Sequence, residues 1–208
     1  RSSLARRLGM DIPNMVPSNK DVDGIVDMTI DAIQHHHKPI TEQRLCGWHD
    51  SLFPTGKSSG SKITVGNYRV DSTGPMQVIS ETMGKERVHF QAPNSDKIEK
   101  EMILFYNWIN DNKTVDPVIK AGIVHFWFLT IHPFEDGNGR MARAITDLLL
   151  ARADGIYQRY FSMSAQIQKQ RSSYYEILER SQKGTLDITH WLSWFLDCLF
   201  NALTASDE

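Results

Sequence analysis

The sequence predicts a mainly α-helical bundle with one small β-hairpin excursion. Three observations carry this. Apolar residues recur at helical spacing along most of the chain. One stretch, residues 117–131, is apolar on nearly every side, as befits a helix at the centre of a helical domain. Only residues 63–90 switch to alternation of apolar and polar side chains, which suits short strands around a hairpin.

Val22, Ile25, Val26, Ile30 and Ile33 form one helical stripe, with Asp21, Asp23, Asp27 and Asp31 on other faces, and Pro39 lies past its end. Thr41 is placed to cap a short second helix carrying Leu45, Trp48 and Leu52. Ile63, Val65 and Tyr68 alternate with polar residues, as do Met76 and Val78, then Val88 and Phe90 beyond a break at Gly84. Ile98, Met102, Phe105 and Ile109 mark the next helix, and Asp116-Pro117 opens the apolar one, with proline in its first turn. A helix over about 139–153 follows, with Ile145, Leu148 and Leu149 inward. Two or three more close the chain, the last carrying Trp191, Leu192, Phe195, Leu196 and Leu199.

A length of 208 residues suits one globular domain with a core that needs no staples. The formal net charge of −2 does not favour a nucleic-acid or acidic-membrane partner, and the cluster Arg1, Arg6 and Arg7 is too short for a nucleic-acid arm. No apolar run is long enough to span a bilayer. Cys46 and Cys198 stand apart with no CxxC unit, which points to reduced thiols and a cytoplasmic setting. Ser2 to Leu8 reads as helix, and because Arg1 falls within it the chain reads as part of a longer polypeptide.

The apolar helix must stop at His132-Pro133. A new helix begins near Asn138 or Gly139, so Phe134-Glu135-Asp136-Gly137 is a loop between two packed helices, ending on a helix N-terminus. Amides there lack helical partners and the dipole is positive. Gly137 and Gly139 let a ligand approach the backbone, which makes an anion cradle. Arg140 and Arg143, three apart, share a helical face and suit phosphate oxygens. Asp136 offers a hard oxygen suited to Mg²⁺. His132, with an ordinary pKa near 6.5, is able to take a proton at neutral pH. These residues suffice for metal-assisted phosphoryl or nucleotidyl transfer.

Other readings of the loop fail on register or composition. With Gly139 as the glycine of a calcium loop, the position needing a bidentate Glu is Ile145. There is no Walker A sequence, and His132 lacks the His or Cys partners of a zinc site.

His132 to Arg140, with Arg143, resembles the complete signature H-x-F-x-[D/E]-G-N-G-R-x-x-R of the Fic (Fic/Doc) family. Gly66-Asn67-Tyr68-Arg69 is similar to the G-x-[YF]-R before that family's hairpin flap. Val88 to Pro93, Tyr174-Tyr175 and the helix from Ile188 to Leu196 also fit. The resemblance covers most of residues 18–200 and sets domain limits: residues 1–17 as an N-terminal segment, and 18–203 as a Fic domain with its flap at about 63–90 and active-site loop at 132–140.

What the resemblance implies is transfer of AMP from ATP to a Ser, Thr or Tyr hydroxyl of a target protein, with self-modification as a side reaction. His132 would deprotonate the hydroxyl. Asp136 would hold Mg²⁺ on the α- and β-phosphates. Gly137, Asn138 and Gly139 would line the anion hole, Arg140 would grip the β/γ-phosphates and Arg143 the γ-phosphate. Phe134 would anchor the loop, Met76, Gln77, Val78 and Ile79 would form a flap that docks the target by strand addition, and Tyr174 or Tyr175 would lie near the adenosine. Both glycines of Gly-Asn-Gly are kept, unlike in the kinase-like Doc branch. A silent nucleotide-binding module, another donor and AMP removal stay open, as does a homodimer. Many family members carry an inhibitory helix with [S/T]-x-x-x-E-[G/N]. Here Ser2 and Ser3 are followed by Arg6 and Arg7 instead, while Arg1 to Gly9 looks like the segment after that helix. An inhibitory segment outside this chain is therefore an expected partner.

His35-His36-His37 reads as a solvated helix end that complements the dipole. Trp191, Trp194 and Phe195 read as core or interface. The Gly/Ser-rich residues 55–61 read as a mobile surface loop, with no support for a phosphate role at Lys57 or Lys62.

Overall fold

A computed structural model describes residues 20–72, 74–82, 85–111, 115–155 and 161–205. The expected helix at Ser2 to Leu8 and the whole segment 1–17 lie outside these residues. The described elements are α1 (Lys20–Gln34), α2 (Glu42–Leu52), β1 (Lys57–Ser58), β2 (Ser61–Lys62), β3 (Gln77–Thr82), β4 (Lys85–Gln91), a 3₁₀ turn (Ser95–Lys97), α3 (Ile98–Asn110), α4 (Pro117–Ile131), α5 (Asn138–Asp154), α6 (Met163–Lys169), α7 (Arg171–Gln182) and α8 (Thr189–Thr204). The mainly α architecture with a small hairpin is as the sequence predicts, and a second, two-residue ladder, β1–β2, precedes that hairpin.

Local chemistry sets the helix starts. Thr41 Oγ1 accepts from the Arg44 amide at 3.2 Å, capping α2. The Asp116 carboxylate accepts from Val118 and Ile119 amides at 2.9 and 3.1 Å, and Pro117 occupies the first turn of α4. Helices α4 and α5 pack against each other at the centre. Helices α3 and α8 cover other sides of α4, α1 lies along α5, and α6 and α7 close the bundle against α8. Phe105, Val124, Phe128, Ile145, Leu148, Trp191 and Phe195 are fully buried between them. The Asp31 carboxylate ties α1 to α2 by accepting from Arg44 Nε and Trp48 Nε1, both at 2.8 Å.

Two expectations change. Ile63, Val65 and Tyr68 pack on the core, but residues 63–72 form no strand. This segment bonds instead to the loop after α4 and to α2: the Thr64 amide donates to Glu135, the Arg69 amide to the Pro133 carbonyl at 2.9 Å, and the Gly66 amide to His49 of α2. The Gly/Ser-rich loop is also less free than expected. It carries the short antiparallel ladder Lys57↔Lys62 and Ser58↔Ser61, and the Ser58 hydroxyl donates to the Asp136 carboxylate.

The hairpin β3–β4 is a separate two-stranded sheet. Its register runs from Gln77↔Gln91 and Val78↔Phe90 to Ile79↔Val88 and Ser80↔Arg87, so His89 is an extra, unpaired residue at a β-bulge. The expected break at Gly84 lies outside the described residues. The three histidines follow α1 in a turn, where His35 Nδ1 meets Asp31 at 2.8 Å and His36 Nδ1 meets the Ile33 carbonyl at 2.9 Å. Cys46 and Cys198 are free thiols. Among the described residues, no helix is long and apolar enough to cross a membrane.

Candidate active site

Helix α4 ends at His132, whose backbone turns left-handed at φ 52°. That corner costs a non-glycine residue on the order of 1–2 kcal/mol, so surrounding contacts must hold it. Arg69 does so. Its guanidinium is buried, with Nε donating to the His132 carbonyl at 2.8 Å and another nitrogen donating to the Pro93 carbonyl at 2.5 Å. Asp71 balances the charge through an ion pair with the same guanidinium and accepts from the Ser95 amide at 2.6 Å.

The His132 ring places Nδ1 3.3 Å from the Leu129 carbonyl. A carbonyl only accepts, so Nδ1 carries the hydrogen and Nε2 keeps its lone pair. Burial pushes the His132 pKa down to about 4, against a smaller upward pull from the Leu129 carbonyl. The ring is therefore neutral at pH 7.

Beyond Pro133 the loop is fixed residue by residue. Phe134 is fully buried, stacked on His49 with centroids 4.3 Å apart. The Glu135 carboxylate accepts from the Thr64 hydroxyl at 2.6 Å and its amide at 3.1 Å. His49, itself fully buried, accepts the Gly66 amide on Nδ1, so Nε2 donates to the Asp136 carbonyl; both contacts are 3.1 Å. Burial holds its pKa below the ordinary histidine value. The Asn138 side chain closes the loop on itself, accepting from the Phe134 amide at 3.1 Å and donating to the Phe134 carbonyl at 2.7 Å. Gly137 has φ +82°, and a Cβ there would sit 2.9 Å from the Phe53 ring.

Helix α5 starts at Asn138 with no side-chain hydrogen bond at its cap, leaving its first amides open. The Asp136 carboxylate accepts from the Gly137 amide at 2.5 Å and lies 3.6 Å from Arg140. A cavity of about 720 Å³ opens over this corner. His132, Asp136, Asn138, Gly139 and Arg143 form part of its wall, as do Met76 to Ser80 at the hairpin and Tyr174, Tyr175, Leu178 and Glu179 of α7.

The structure thus brings most of the sequence-predicted residues to one cavity; Gly137, Arg140 and the buried Phe134 are not among its lining residues. Arg140 does not share the cavity wall with Arg143. It lies over the Phe53 ring, 4.7 Å from the centroid, and faces Asp136. Tyr174 contributes its ring to the wall, but its hydroxyl donates to His125 Nε2 at 2.9 Å. Thr146 fixes that tautomer: its hydroxyl donates to the Ala142 carbonyl at 2.8 Å, so it accepts from His125 Nδ1. Tyr175 is half exposed at the same cavity. Met76, just before β3, and Gln77, Val78 and Ile79 on β3 line the cavity as a group, and β3 pairs only with β4 among the described residues.

Sequence reasoning missed His49, Ser58 and Thr64, and gave Glu135 and Arg69 no role of their own. His49 carried a signal: it falls one residue after Trp48 within the apolar stripe of α2.

Comparison with known proteins agrees with this geometry. The Fic/DOC family model matches residues 39–150, more than half of the chain. The protein adenylyltransferase Fic of Drosophila melanogaster is 34% identical over 96 residues, covering 45% of this chain and 18% of that protein. A probable protein adenylyltransferase of Aquifex aeolicus (strain VF5) is 33% identical over 102 residues, 49% of this chain and 29% of that protein. The matched stretch spans less than a third of either relative. Among solved structures, a Fic family protein from Desulfovibrio desulfuricans G20 superposes with TM-score 0.71 at 22% identity, covering 99% of this chain and 58% of that one. IbpAFic2 covalently tethered to Cdc42 gives TM-score 0.54 at 15% identity, covering 96% and 69%. Fold, loop and family match converge: this chain belongs to the Fic/DOC family.

Proposed function

We propose that this domain transfers AMP from ATP to a Ser, Thr or Tyr hydroxyl of a target protein. The observation that carries the reading is His132: a neutral base whose free Nε2 is on the ring that lines the cavity, beside the open amides of α5 and Arg143. The names of the curated relatives support it.

In this reading, His132 Nε2 takes the proton as the target oxygen attacks the α-phosphorus, and pyrophosphate leaves. The first amides of α5, at Asn138 and Gly139, cradle phosphate oxygens, with Gly137 giving the backbone its turn. Arg143 grips the γ-phosphate. Arg140 reaches the β/γ-phosphates after leaving Phe53. Phe134 and the Asn138 side chain keep the loop in shape. The Tyr175 ring, with that of Tyr174, borders the adenosine.

Asp136 is the residue that would hold Mg²⁺. The fit is good: one carboxylate, partly exposed and lining the cavity, is what a Mg²⁺ shared with substrate phosphates asks of a protein. Among the described residues there is no cluster of three or more His, Cys, Asp or Glu that would favour another metal. The ion would neutralise charge on the phosphates.

Met76, Gln77, Val78 and Ile79 form the docking edge. With β4 on one side only, β3 leaves backbone groups free to pair with an extended target segment. The neighbour tethered to Cdc42 supports a protein target. A regulatory segment reaching Arg143, a homodimer, self-modification and a cytoplasmic setting belong to the same reading.

The test is incubation with α-labelled ATP, Mg²⁺ and cell lysate. Lysate proteins gain label with the unmodified chain and not with His132→Ala; equal labelling of the lysate proteins by both contradicts the reading.

A further inference from the structure

The wall of the cavity that His132 lines also holds a hydroxyl with its own base. Ser80 Oγ, on β3, lies 2.6 Å from His89 Nε2. His89 Nδ1 lies 2.5 Å from Glu179 Oε2 on α7. A carboxylate only accepts, so in the neutral ring Nδ1 carries the hydrogen and Nε2 accepts from the Ser80 hydroxyl. This is the arrangement of an activated nucleophile: hydroxyl, imidazole base, and a third group that orients the base.

Two independent features hold it. The β-bulge leaves His89 as the extra residue between the pairs Val78↔Phe90 and Ile79↔Val88, which re-aims its side chain from the place a regular strand would give it. Glu179 is kept as a carboxylate by bonds from His89, Lys183 and Arg87, the last two at 2.8 and 2.9 Å. Ser80, His89 and Glu179 all line the cavity that holds His132, Asn138 and Arg143.

We propose that Ser80 is a self-modification site, an acceptor hydroxyl of the flap activated by the His89–Glu179 pair and adenylylated by the nucleotide in the adjoining site. The proposal rests on the AMP-transfer reading. Ser80 Oγ forms a bond to the α-phosphorus of ATP, the bond from that phosphorus to the β-phosphate bridging oxygen breaks, pyrophosphate leaves, and the Ser80 proton passes to His89 Nε2. The product is a phosphodiester on the hairpin. It fills the space between flap and α7 where a fresh nucleotide and target must enter, so each chain that modifies itself withdraws from further transfer.

The experiment maps adenylylated peptides after the 208-residue chain is incubated with α-labelled ATP and Mg²⁺, with and without lysate. Label on the peptide carrying Ser80 is expected, absent in Ser80→Ala and retained in Ser80→Thr. His89→Gln lowers it on the order of a hundredfold, the usual contribution of a positioned base. His132→Ala keeps the Ser80 label while losing label on lysate proteins, because His89 receives this proton. Circular dichroism matching the unmodified chain shows that each variant is folded. Label on lysate proteins with an unlabelled Ser80 peptide overturns the proposal and leaves AMP transfer standing. Label on Ser80 undiminished in folded His89→Gln overturns the relay. No label on any protein overturns the AMP-transfer reading and the proposal with it.

Discussion

His49 donates its Nε2 hydrogen to the Asp136 carbonyl oxygen across 3.1 Å, joining the buried face of α2 to the loop that ends α4. The same ring accepts the Gly66 amide and stacks on Phe134. One neutral imidazole thus fixes three backbone or ring positions around the carboxylate proposed to hold Mg²⁺. His49→Ala leaves the Gly66 amide and the Asp136 carbonyl without these partners. The expected loss is about 2–3 kcal/mol in denaturant melts, together with weaker Mg²⁺-dependent ATP binding in calorimetry. An unchanged midpoint contradicts the role.

The Arg69 guanidinium should be irreplaceable by lysine. It serves the His132 and Pro93 carbonyls and the Asp71 carboxylate from one buried plane, which a single ammonium cannot match. Arg69→Lys is expected to lower stability by about 3 kcal/mol, in the range for breaking a buried ion pair. The loss of transfer should exceed what the remaining folded fraction explains, because the left-handed corner at His132 relaxes. Thermal melts and labelling rates on one preparation check both.

Gly137→Ala tests the turn before α5. A left-handed alanine costs on the order of 1–2 kcal/mol, and its Cβ would press on Phe53 at 2.9 Å. ATP affinity is expected to fall with stability, since Phe53 also carries Arg140. Affinity equal to that of the unmodified chain in calorimetry runs against the cradle.

Acid should destabilise the protein before its carboxylates titrate. Burial lowers His125 to about 3 and His132 to about 4, and lowers His49 as well. Unfolding frees these rings to bind protons near pH 6.5, while the folded rings stay neutral. The unfolded state therefore binds more protons, so stability is complete above about pH 6.5 and lost as pH falls below it. The expected slope is about 1.4 kcal/mol per pH unit for each histidine. Denaturant melts at pH 7, 6 and 5 read it, and a flat profile contradicts the neutral assignments.

Much of this was legible in the sequence. Helices α3, α4 and α8 follow from apolar spacing, and the loop from residue types whose chemistry converges: a proline stop, two glycines, a carboxylate and two arginines. The features that were not legible share a cause. Alternation at Ile63, Val65 and Tyr68 shows that one side faces apolar surroundings, not what the backbone pairs with, and here the partners were Glu135, His49 and Pro133. The spacing of Arg140 and Arg143 gives a shared face, but only the fold places Phe53 beside one of them. Tyr174 could be placed near the site, yet its hydroxyl bond to His125 depends on residues 49 apart in sequence. The bulge at His89 has no signal in the period of the strand.

The central claim is that His132 drives transfer of AMP to a protein hydroxyl. The measurement that tests it most directly is the mass gained by a lysate protein captured as modified after incubation with this chain, ATP and Mg²⁺. The expected gain is one AMP on a Ser, Thr or Tyr with the unmodified chain and none with His132→Ala. A gain of one phosphate, or an equal AMP gain with His132→Ala, would contradict it.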